Sequence, residues 1–381
     1  MIRSRLDYED EELKGLAGFA CSARKSKGRL QQEPEHEYRT VFQRDRDRVV
    51  HCRAFRRLEY KTQVFIFHEG DHYRNRLTHT LEASQIARTC ARALRGNEDL
   101  SEAIVLAHDL GHTPFGHAGE HALAELMEGH GGFDHNRQTL RIVDWLEERY
   151  PGIKGLNLTD ETRSGIAKHG CDWEHPVELP SQALSPSLEA QIADCSDEIA
   201  YLNHDLDDGL RSKILKFEQL EDVTLWVKAR EVAEDAFGNL DGRTLASATV
   251  IALIDLLSSA LIKESGKRIA ELPCLVPRDV LDCEKRVVGY PSSLDQERLE
   301  LREFLFDNLY YHKQVVEMSE KAACIVSELF KVYLSDPTLL PERIHAEFGT
   351  IGEPRAIADY LAGMTDRFAQ AEHRKLVSGS K

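Results

Sequence analysis

Helical hydrophobic periodicity dominates this chain and leaves little room for a sheet. In LTHTLEASQIARTCARAL (77–94), apolar side chains recur close to every 3.6 residues, with Arg and Glu between them. The segment SLEAQIADCSDEIAYLNHDLDDGL (187–210) continues in the same way. The best strand candidate, KTQVFIF (61–67), is short. We therefore predict an all-α fold: a helical core with additional C-terminal helices and at most a small β-hairpin.

A further helix is predicted within NEDLSEAIVLAHDLGH (97–112). Asp99, followed three residues later by Glu102, resembles a capping box that opens this helix. Gly111 and Pro114 are expected to end it. The adjacent letters HD are thereby placed at the C-terminal end of a helix.

Charge and composition exclude several classes of protein. A net charge of −16 opposes non-specific binding of nucleic acid, although a local basic cluster could still hold an anion. The N-terminus has no apolar signal region, and the eight cysteines form no C-x-x-C pair, which predicts reduced thiols in the cytoplasm. The apolar run 246–262 is interrupted by Asp255, so we predict a buried helix and no membrane span.

The segment HDLGHTPFGHAGEH (108–121) concentrates imidazoles and carboxylates, which are ligands for divalent metals. His108 and Asp109 are adjacent at a helix end, where both can turn toward one point. His79, on the upstream helix, is the candidate third ligand. Taken alone, His79 would be read as a hydrogen-bonded helix histidine, but the neighbouring His-Asp pair favours a metal site.

The fourth ligand should be a carboxylate from a later helix. Asp194 and Asp197 stand three residues apart in QIADCSDEIAY and share a helix face. Tyr201 and Asp205 continue that face. A solvent-exposed acidic helix face would explain two of these residues. It would not explain why three carboxylates and a tyrosine share one face of so apolar a helix. We take Asp197 as the ligand and keep Asp194 as the alternative.

The letters HAGEH also match the H-x-x-E-H pattern of a family of zinc proteases. That chemistry needs both histidines on one unbroken helix, and Gly119 weakens the helix here. No downstream glutamate pattern completes the ligand set. Among 17 histidines a match of three fixed letters arises easily by chance, so we reject this reading.

The order His79, His108-Asp109, Asp197 is similar to the H…HD…D order of HD-domain phosphohydrolases. From about residue 28 to 370 the chain resembles the deoxyguanosinetriphosphate triphosphohydrolase family, and most closely its shorter bacterial branch. The resemblance is carried by six ordered blocks: FRRLEYKTQVF (55–65), RNRLTHTLE (74–82), HDLGHTPFGHAGE (108–120), GFDHNRQTLRIV (132–143), SDEIAYLNHDLDDG (196–209) and DYLAGMTDRFA (359–369).

This resemblance implies an enzyme that cleaves a deoxynucleoside triphosphate (dNTP) between the α-phosphorus and the 5′ oxygen, which releases deoxynucleoside and triphosphate. It implies a divalent metal, first of all Mg²⁺ or Mn²⁺, while Zn²⁺, Fe²⁺ and Ni²⁺ also suit a His₂Asp₂ site. Family members form homo-oligomers, often hexamers. Some require a second dNTP or single-stranded DNA as an activator.

The 5′ alkoxide leaving group needs a proton donor. His117 is the candidate, and Glu120, one turn later on the same face, would raise the pKa of its imidazole and orient it. The resemblance implies the same catalytic pair. His112 is expected next to the metal ligands, and His121 is expected to be an exposed histidine without a role.

The resemblance also implies substrate contacts. Arg76 lies one helical turn before His79 and would point to the metal side. With Arg76, the implied phosphate contacts are His135 and Lys168, and the implied sugar contacts are Gln63, Tyr201 and Asp205. The ring of Tyr201 would exclude a 2′-hydroxyl. Further positions match the family without an assigned role, or could equally be structural: Asn136, Gln138, Arg355, Asp359 and Tyr360.

We accordingly divide the chain into three parts. Residues 1–40 form an N-terminal extension, mobile or engaged in subunit contacts; residues 41–220 form the HD-domain core; residues 221–381 form a C-terminal helical region that completes the site and the oligomer contacts. Two other functions stay open from the sequence. One is a different HD-domain nucleotide phosphohydrolase, and the other is a dNTP-sensing or nucleic-acid-binding oligomer with vestigial hydrolysis.

Overall fold

The structure, a computed structural model, describes residues 2–64, 73–167, 175–180, 183–238, 240, 242–272 and 276–377. Within these ranges there are nineteen α-helices and no strand, so the predicted all-α fold is confirmed. Of the strand candidate 61–67, residues 61–64 form only an isolated bridge between Thr62 and Asn75, and the remainder lies outside the described residues.

The first half of the chain contributes the helices that carry most candidate site residues. In chain order these are α1 (Arg5–Gly15), α2 (Val41–Val50), α3 (Arg53–Arg57), α4 (Arg76–Ala93), α5 (Glu98–His108), α6 (His117–Leu126), α7 (His135–Arg141), α8 (Asp160–Ala167) and α9 (Leu188–Arg211). A π-helical segment, Ile142–Leu146, continues α7, and short 3₁₀ turns span Ala23–Lys25 and Leu58–Tyr60.

The second half of the chain is equally helical. Its helices are α10 (Phe217–Leu220), α11 (Thr224–Phe237), α12 (Gly242–Glu271), α13 (Pro277–Leu281), α14 (Ser292–Leu305), α15 (Lys313–Ser335), α16 (Glu342–His345), α17 (Phe348–Ile351), α18 (Glu353–Ala362) and α19 (Asp366–Leu376). A second π-helical segment, Phe306–Tyr310, follows α14, and a 3₁₀ turn spans Pro337–Leu339.

Local capping explains where the central helices begin. Asn75 caps α4 and exchanges bonds with Thr78, and Ser187 caps α9. At α5 the predicted cap was wrong. The side chain of Asn97 accepts the capping bond, whereas Asp99 lies inside the first turn and pairs with an arginine of α2. The side chain of Asn97, two residues before Asp99, therefore caps the helix in place of the predicted Asp99.

Helices α4, α5 and α9 pack against one another and form the centre of the first hydrophobic core. Ala83, Ala87 and Ala91 stand at four-residue intervals on α4 and are fully buried. Small side chains along one ridge allow neighbouring helices to approach closely. The close packing brings together the start of α4, the end of α5 and the third turn of α9, and the candidate metal ligands lie there.

Helix α12 contains the apolar run 246–262 and is long and apolar enough to cross a membrane by composition alone. Its Leu253, Leu257 and Leu261 are fully buried, and the helix packs against α9 and α11. Ile251 is exposed. A one-sided pattern of this kind is that of a helix at the edge of a protein core.

A second hydrophobic core joins α6 to the C-terminal helices α15, α18 and α19. Leu123 of α6, Leu329 and Tyr333 of α15, and Leu361 of α18 are almost completely buried in it. The helix that carries His117 is therefore positioned by the C-terminal third of the chain.

The N-terminal segment contacts this framework through polar groups. Arg29 pairs with the buried Asp45 of α2, and the hydroxyl of Ser26 donates to Glu161 of α8 at 2.7 Å. Subunit contacts of the first 40 residues stay a prediction. The six cysteines among the described residues are free thiols, as expected.

Lys61 connects two distant parts of the chain. Its ammonium group, which is buried, donates to the carbonyl oxygens of His112 and Ala362. Burial, with a smaller contribution from the charge of Arg57, lowers the pKa of Lys61 to about 7. The turn after His108 and Asp109 is thereby tied to the end of α18.

Asp366 makes a parallel connection at the start of α19. Its Oδ2 accepts hydrogen bonds from the backbone N–H and the hydroxyl of Thr62, and its Oδ1 accepts from the backbone N–H of Phe115 at 2.8 Å. Both accepting oxygens are buried with the residue. The carboxylate thus fixes the segments on either side of the candidate site.

Replacing Asp366 with asparagine should lower the free energy of unfolding by about 2 kcal/mol. The amide has only one acceptor oxygen, so either Thr62 or Phe115 is left with an unsatisfied buried N–H. The urea midpoint of the variant measures this loss. Asp255→Asn, on the exposed side of α12, is the control and should change stability by less than about 0.5 kcal/mol. Equal midpoints for the two variants would contradict the prediction.

Candidate metal centre and active site

Four side chains from three helices converge at one point. His79 lies in the first turns of α4, His108 is the last residue of α5, Asp109 follows it, and Asp197 lies in the third turn of α9. The Oδ1 atom of Asp197 is 2.9 Å from Nε2 of His79 and 3.1 Å from Nε2 of His108. Asp109 Oδ1 is 3.2 Å from the same His108 nitrogen. The donor set is the His₂Asp₂ set expected from the sequence.

These separations suit a shared divalent ion. Two ligand atoms at right angles, each about 2.1 Å from one ion, are about 3.0 Å apart. The other nitrogen of His108, Nδ1, faces the carbonyl oxygen of Val105, which can only accept, so Nδ1 carries the proton. Nε2 then faces two carboxylate oxygens, and a cation shared by these atoms, either a proton on Nε2 or a metal ion, satisfies all three. The residues present therefore fit a metal.

The second nitrogen of His79 also has a partner. His79 Nδ1 lies 3.1 Å from Nδ1 of His204, and the far nitrogen of His204 pairs with Glu82. A polar group behind a liganding histidine fixes the orientation of the ring and raises its basicity. Sequence reasoning missed His204 and Glu82. Their spacing on α9 and α4 gives no sign of it, because the contact depends on how the two helices pack.

The structure separates the two aspartates that the sequence left as alternatives. Asp197 faces His79 and His108, whereas the carboxylate of Asp194 pairs with Arg286. Burial alone would raise the pKa of Asp197, but the charge of His108 and the hydrogen bonds from both histidines hold it well below its usual range. A carboxylate that stays ionised is the form a metal binds.

Arg76 is buried and pairs with Asp109, with 3.1 Å between the guanidinium and Oδ2. Burial would raise the pKa of Asp109, but His108, His112 and Arg76 keep it well below the usual range. Arg76 also lines the pocket, and its Nε has no hydrogen-bond partner among the described residues. It is placed to orient a metal ligand as well as to meet an anion.

His112 links the candidate metal site to its neighbours. Its Nδ1 lies 2.9 Å from Asp109 Oδ1, and its ring stacks on that of His135 with 4.0 Å between centroids. Burial, then the charges of Arg76 and His135, lower the pKa of His112 well below its usual value. His112 is therefore a neutral imidazole beside the ligands, the position expected from the sequence.

Glu120 stands between two histidines. One carboxylate oxygen lies 3.3 Å from Nδ1 of His117, and the other lies 2.8 Å from Nδ1 of His135 and accepts the backbone N–H of the same residue at 2.8 Å. Burial raises the pKa of Glu120, but the bonds with His117 and His135 outweigh it and lower the pKa. His117 itself is 71% exposed and can meet a ligand in the pocket.

Two glycines determine how His117 is presented. Gly116 adopts a left-handed conformation with φ +57° immediately before α6, which other residues adopt at a cost. A Cβ on Gly119 would lie 2.2 Å from the carbonyl oxygen of Pro114, so only glycine fits there. The glycine that weakened the protease reading is thus needed for the tight turn that precedes the helix.

One pocket of about 580 Å³ contains the candidate metal ligands and the predicted substrate contacts that lie in the described part of the chain. Gln63 lines it, and the Oε1 atom of this side chain is buried without a partner among the described residues. Tyr201 lines it as well, with its hydroxyl 3.3 Å from Glu198. The structure brings together eleven of the twelve residues predicted from the sequence; the twelfth, Lys168, lies outside the described residues.

Asp205 is held by a residue that sequence reasoning missed. The hydroxyl of Tyr310 donates to its Oδ2. Burial raises the pKa of Asp205 to about 7. Tyr310 belongs to the second π-helical segment, and further side chains from α14 to α15 complete this wall of the pocket: Arg302, Phe306, Tyr311, Val315 and Ser319. The aromatic cluster FDNLYYH (306–312) was the available signal.

The remaining family-like positions do not line this pocket. Asp359 forms a buried ion pair with Arg141, and Arg355 donates to backbone oxygens of the 130–132 loop. Tyr360 lines a different cavity. His121 is exposed, as expected, but lies at the rim of the pocket.

Comparison with known proteins agrees with this geometry. Residues 76–202 match the HD domain model, a range that includes all four candidate metal ligands, and residues 288–375 match the phosphohydrolase-associated domain. HD domains are metal-dependent. The fold and the His-His-Asp-Asp cluster thus define a hydrolase of the HD-domain phosphohydrolase class.

Proteins called "deoxyguanosinetriphosphate triphosphohydrolase-like" align over almost the whole chain. The one from Ralstonia pickettii is 51% identical over 95% of this chain and 94% of its own length, and the one from Bordetella pertussis is 51% identical over 95% and 96%. The one from Geobacter metallireducens is 46% identical over 97% of each. The chain belongs to this family of deoxyguanosinetriphosphate triphosphohydrolase-like proteins, and the resemblance noted in the sequence is confirmed.

Proposed function

We propose that this protein is a metal-dependent dNTP triphosphohydrolase, which converts a dNTP and water to a deoxynucleoside and triphosphate. The observation that carries the proposal is the pocket of about 580 Å³ that contains both the His₂Asp₂ cluster and His117 of the His117–Glu120 pair. A metal site and a proton donor in one cavity are what hydrolysis of a phosphate ester with a poor leaving group needs.

His79, His108, Asp109 and Asp197 would hold the metal. A divalent ion there supplies positive charge for the phosphoryl oxygens and lowers the pKa of a bound water. Mg²⁺ or Mn²⁺ is our first expectation, because two of the four ligands are carboxylates. Arg76 keeps Asp109 oriented and ionised through its ion pair.

His117 is proposed as the acid that protonates the departing 5′ oxygen. Its Nδ1 is directed at Glu120, so Nε2 is the nitrogen available to the substrate. Glu120 stays ionised because it also receives bonds from His135, so it can accept the Nδ1–H of His117 and hold the ring in one orientation. His117 acts as the catalytic acid, and Glu120 holds and orients its proton.

The remaining contacts are proposed from the pocket and from the family resemblance. Arg76, His135 and Lys168 would bind the phosphates, and Gln63 and Asp205 would bind the 3′-hydroxyl. The unpartnered Oε1 of Gln63 supports this, since it can accept a hydroxyl proton. The ring of Tyr201 would close the wall at C2′ against ribonucleotides.

A product assay tests the proposal. The protein is incubated with each dNTP, and with dNTP mixtures, in the presence of Mn²⁺ or Mg²⁺, and the products are separated by ion-exchange chromatography. We expect triphosphate and deoxynucleoside in equal amounts. Release of pyrophosphate or orthophosphate would point to another HD-domain phosphohydrolase, and no turnover in any mixture, with or without single-stranded DNA, would favour a binding protein.

Tyr310→Phe should raise KM for the dNTP about tenfold and change kcat much less. The substitution removes the hydrogen bond that orients the Asp205 carboxylate, and a buried polar partner lost in this way costs about 1–3 kcal/mol. Tyr311→Phe is the matched control, because Tyr311 lines the same wall of the pocket but its hydroxyl has no hydrogen-bond partner in the described part of the chain. Steady-state kinetics that give both variants the same KM would contradict the proposed role of Asp205.

The assembly and the chain's division remain proposals. We propose a cytoplasmic homo-oligomer, with residues 1–40 and 221–381 contributing subunit contacts around the 41–220 core. The second core supports part of this division, since α6 of the core packs against α15 of the C-terminal region.

A further inference from the structure

A second cavity of about 460 Å³ lies between α3, the π-helical segment Ile142–Leu146 and the helices α16 to α18. It shares no lining residue with the catalytic pocket. Its volume falls in the range of cavities that bind small molecules. Nothing in the proposed reaction uses it.

Two arginines in this cavity lack a counter-ion. Arg57 of α3 and Arg343 of α16 both line it, and neither guanidinium has a hydrogen bond or ion pair within the described part of the chain. A third arginine, Arg53, donates only to the backbone oxygen of Glu148, at 3.4 Å. Arg57 is half-buried, where guanidinium groups are ordinarily paired, whereas Arg343 is exposed to solvent.

The carboxylates of the cavity do not neutralise these arginines. Asp359 is held by a buried ion pair with Arg141, and Glu147 accepts the backbone N–H of Ala54 at 2.7 Å. Glu347 lies 4.0 Å from Lys154. The lining holds four cations and four carboxylates, and because Asp359 is paired with Arg141 from outside the lining, one positive charge is left in excess.

The pKa of Arg57 agrees with an excess of positive charge. Burial lowers it first, the carboxylate of Glu147 raises it, and the charges of Arg343 and Arg53 lower it further. An anion between Arg57 and Arg343 would relieve this repulsion and supply the missing hydrogen-bond acceptors.

The cavity is also lined by apolar and aromatic side chains. Trp145, Tyr360 and Phe368 line it together with Ile142, Leu146, Ile344 and Met364. The Lys154 ammonium lies over the Trp145 ring, 3.3 Å from its centroid, and stiffens that part of the wall. Flat apolar surfaces beside guanidinium groups suit a planar ring that carries a negative charge.

We propose that this cavity is a second ligand site, which binds a small organic anion that carries a planar ring. The anionic group lies between Arg57 and Arg343, and the ring packs against Trp145 and Tyr360. A carboxylate or a phosphate ester satisfies the same two arginines, so the experiment includes one ligand of each kind.

Isothermal titration calorimetry on the full chain tests this site. The probes are phenylacetate and phenyl phosphate, compared with acetate, inorganic phosphate and the neutral phenylacetamide. We expect at least one aromatic anion to bind about tenfold more tightly than the corresponding anion without a ring and than the amide. Phenylacetamide binding as tightly as phenylacetate would overturn the proposal, as would the absence of binding by either aromatic anion at 10 mM, roughly the weak limit for so small a ligand.

Variants locate the binding. Arg57→Met and Arg343→Met should each weaken the aromatic anion about tenfold, because each removes a charge-assisted hydrogen bond. Arg56→Met is the matched control, since Arg56 lies on the same helix but is exposed and bonds to the His51 carbonyl oxygen. Arg343 is exposed, so its replacement does not threaten folding. Unchanged affinity in both Arg57→Met and Arg343→Met would show that the anion binds elsewhere.

Discussion

Asp197→Ala should abolish metal binding and lower kcat/KM at least about a thousandfold. Its Oδ1 atom lies 2.9 Å from Nε2 of His79 and 3.1 Å from Nε2 of His108. The substitution removes one of the four proposed ligands and its negative charge. Even the loss of a residue that only hydrogen-bonds to a metal ligand weakens metal affinity about 10–100-fold. Metal content after gel filtration, measured by atomic emission, and turnover of dNTP check the two parts of this expectation.

The chain provides a matched control for that variant one helical turn away. Asp194→Ala removes a carboxylate of the same helix that pairs with Arg286 instead of facing the histidines. We expect it to retain metal and activity within about twofold, since partly exposed ion pairs are worth little. If Asp194→Ala lost the metal and Asp197→Ala kept it, the assignment of the fourth ligand would be wrong.

His117→Ala should lower kcat about 10²–10⁴-fold while the metal stays bound, because the substitution removes the proposed proton donor and leaves the four ligands intact. If kcat falls while the bound metal is retained, His117 is a proton donor; if the metal is lost as well, it is a metal ligand. Kinetics with saturating dNTP and metal analysis of the same preparation are the two measurements.

His121→Ala is the control for His117. Both histidines are exposed on α6, at the rim of one pocket, and only His117 contacts Glu120. We expect His121→Ala to retain kcat within about threefold. A His117→Ala protein that lost its metal, or that turned over as fast as His121→Ala, would contradict the proposed division between metal ligands and proton donor.

The fold class and the core of the site could be predicted because their signals are local. Apolar spacing predicted α4 and α9 within a residue or two, and the ordered letters H, HD and D marked the start of α4, the end of α5 and the third turn of α9, which pack together. The choice between Asp194 and Asp197 could not be settled that way. Both share a helix face, and only the position of Arg286 separates them.

Other parts of the site depend on contacts between residues far apart in the chain. Asp205 and Tyr310 are 105 residues apart, and their hydrogen bond forms only when the second π-helical segment reaches α9. Arg76 was predicted from its spacing to His79 to point to the metal side, but spacing did not reveal its ion pair with Asp109. Helical periodicity predicts which face of a helix is buried, and it does not predict which polar side chain a distant segment brings to that face.

Oxygen-18 labelling tests the central claim most directly. The protein is mixed with Mn²⁺ and less than one equivalent of its preferred dNTP in H₂¹⁸O. The masses of the products are then measured by mass spectrometry. Attack of water on the α-phosphorus predicts one ¹⁸O atom in the triphosphate and none in the deoxynucleoside. Label in the deoxynucleoside, or release of deoxynucleoside monophosphate with labelled or unlabelled pyrophosphate, would contradict the proposed reaction.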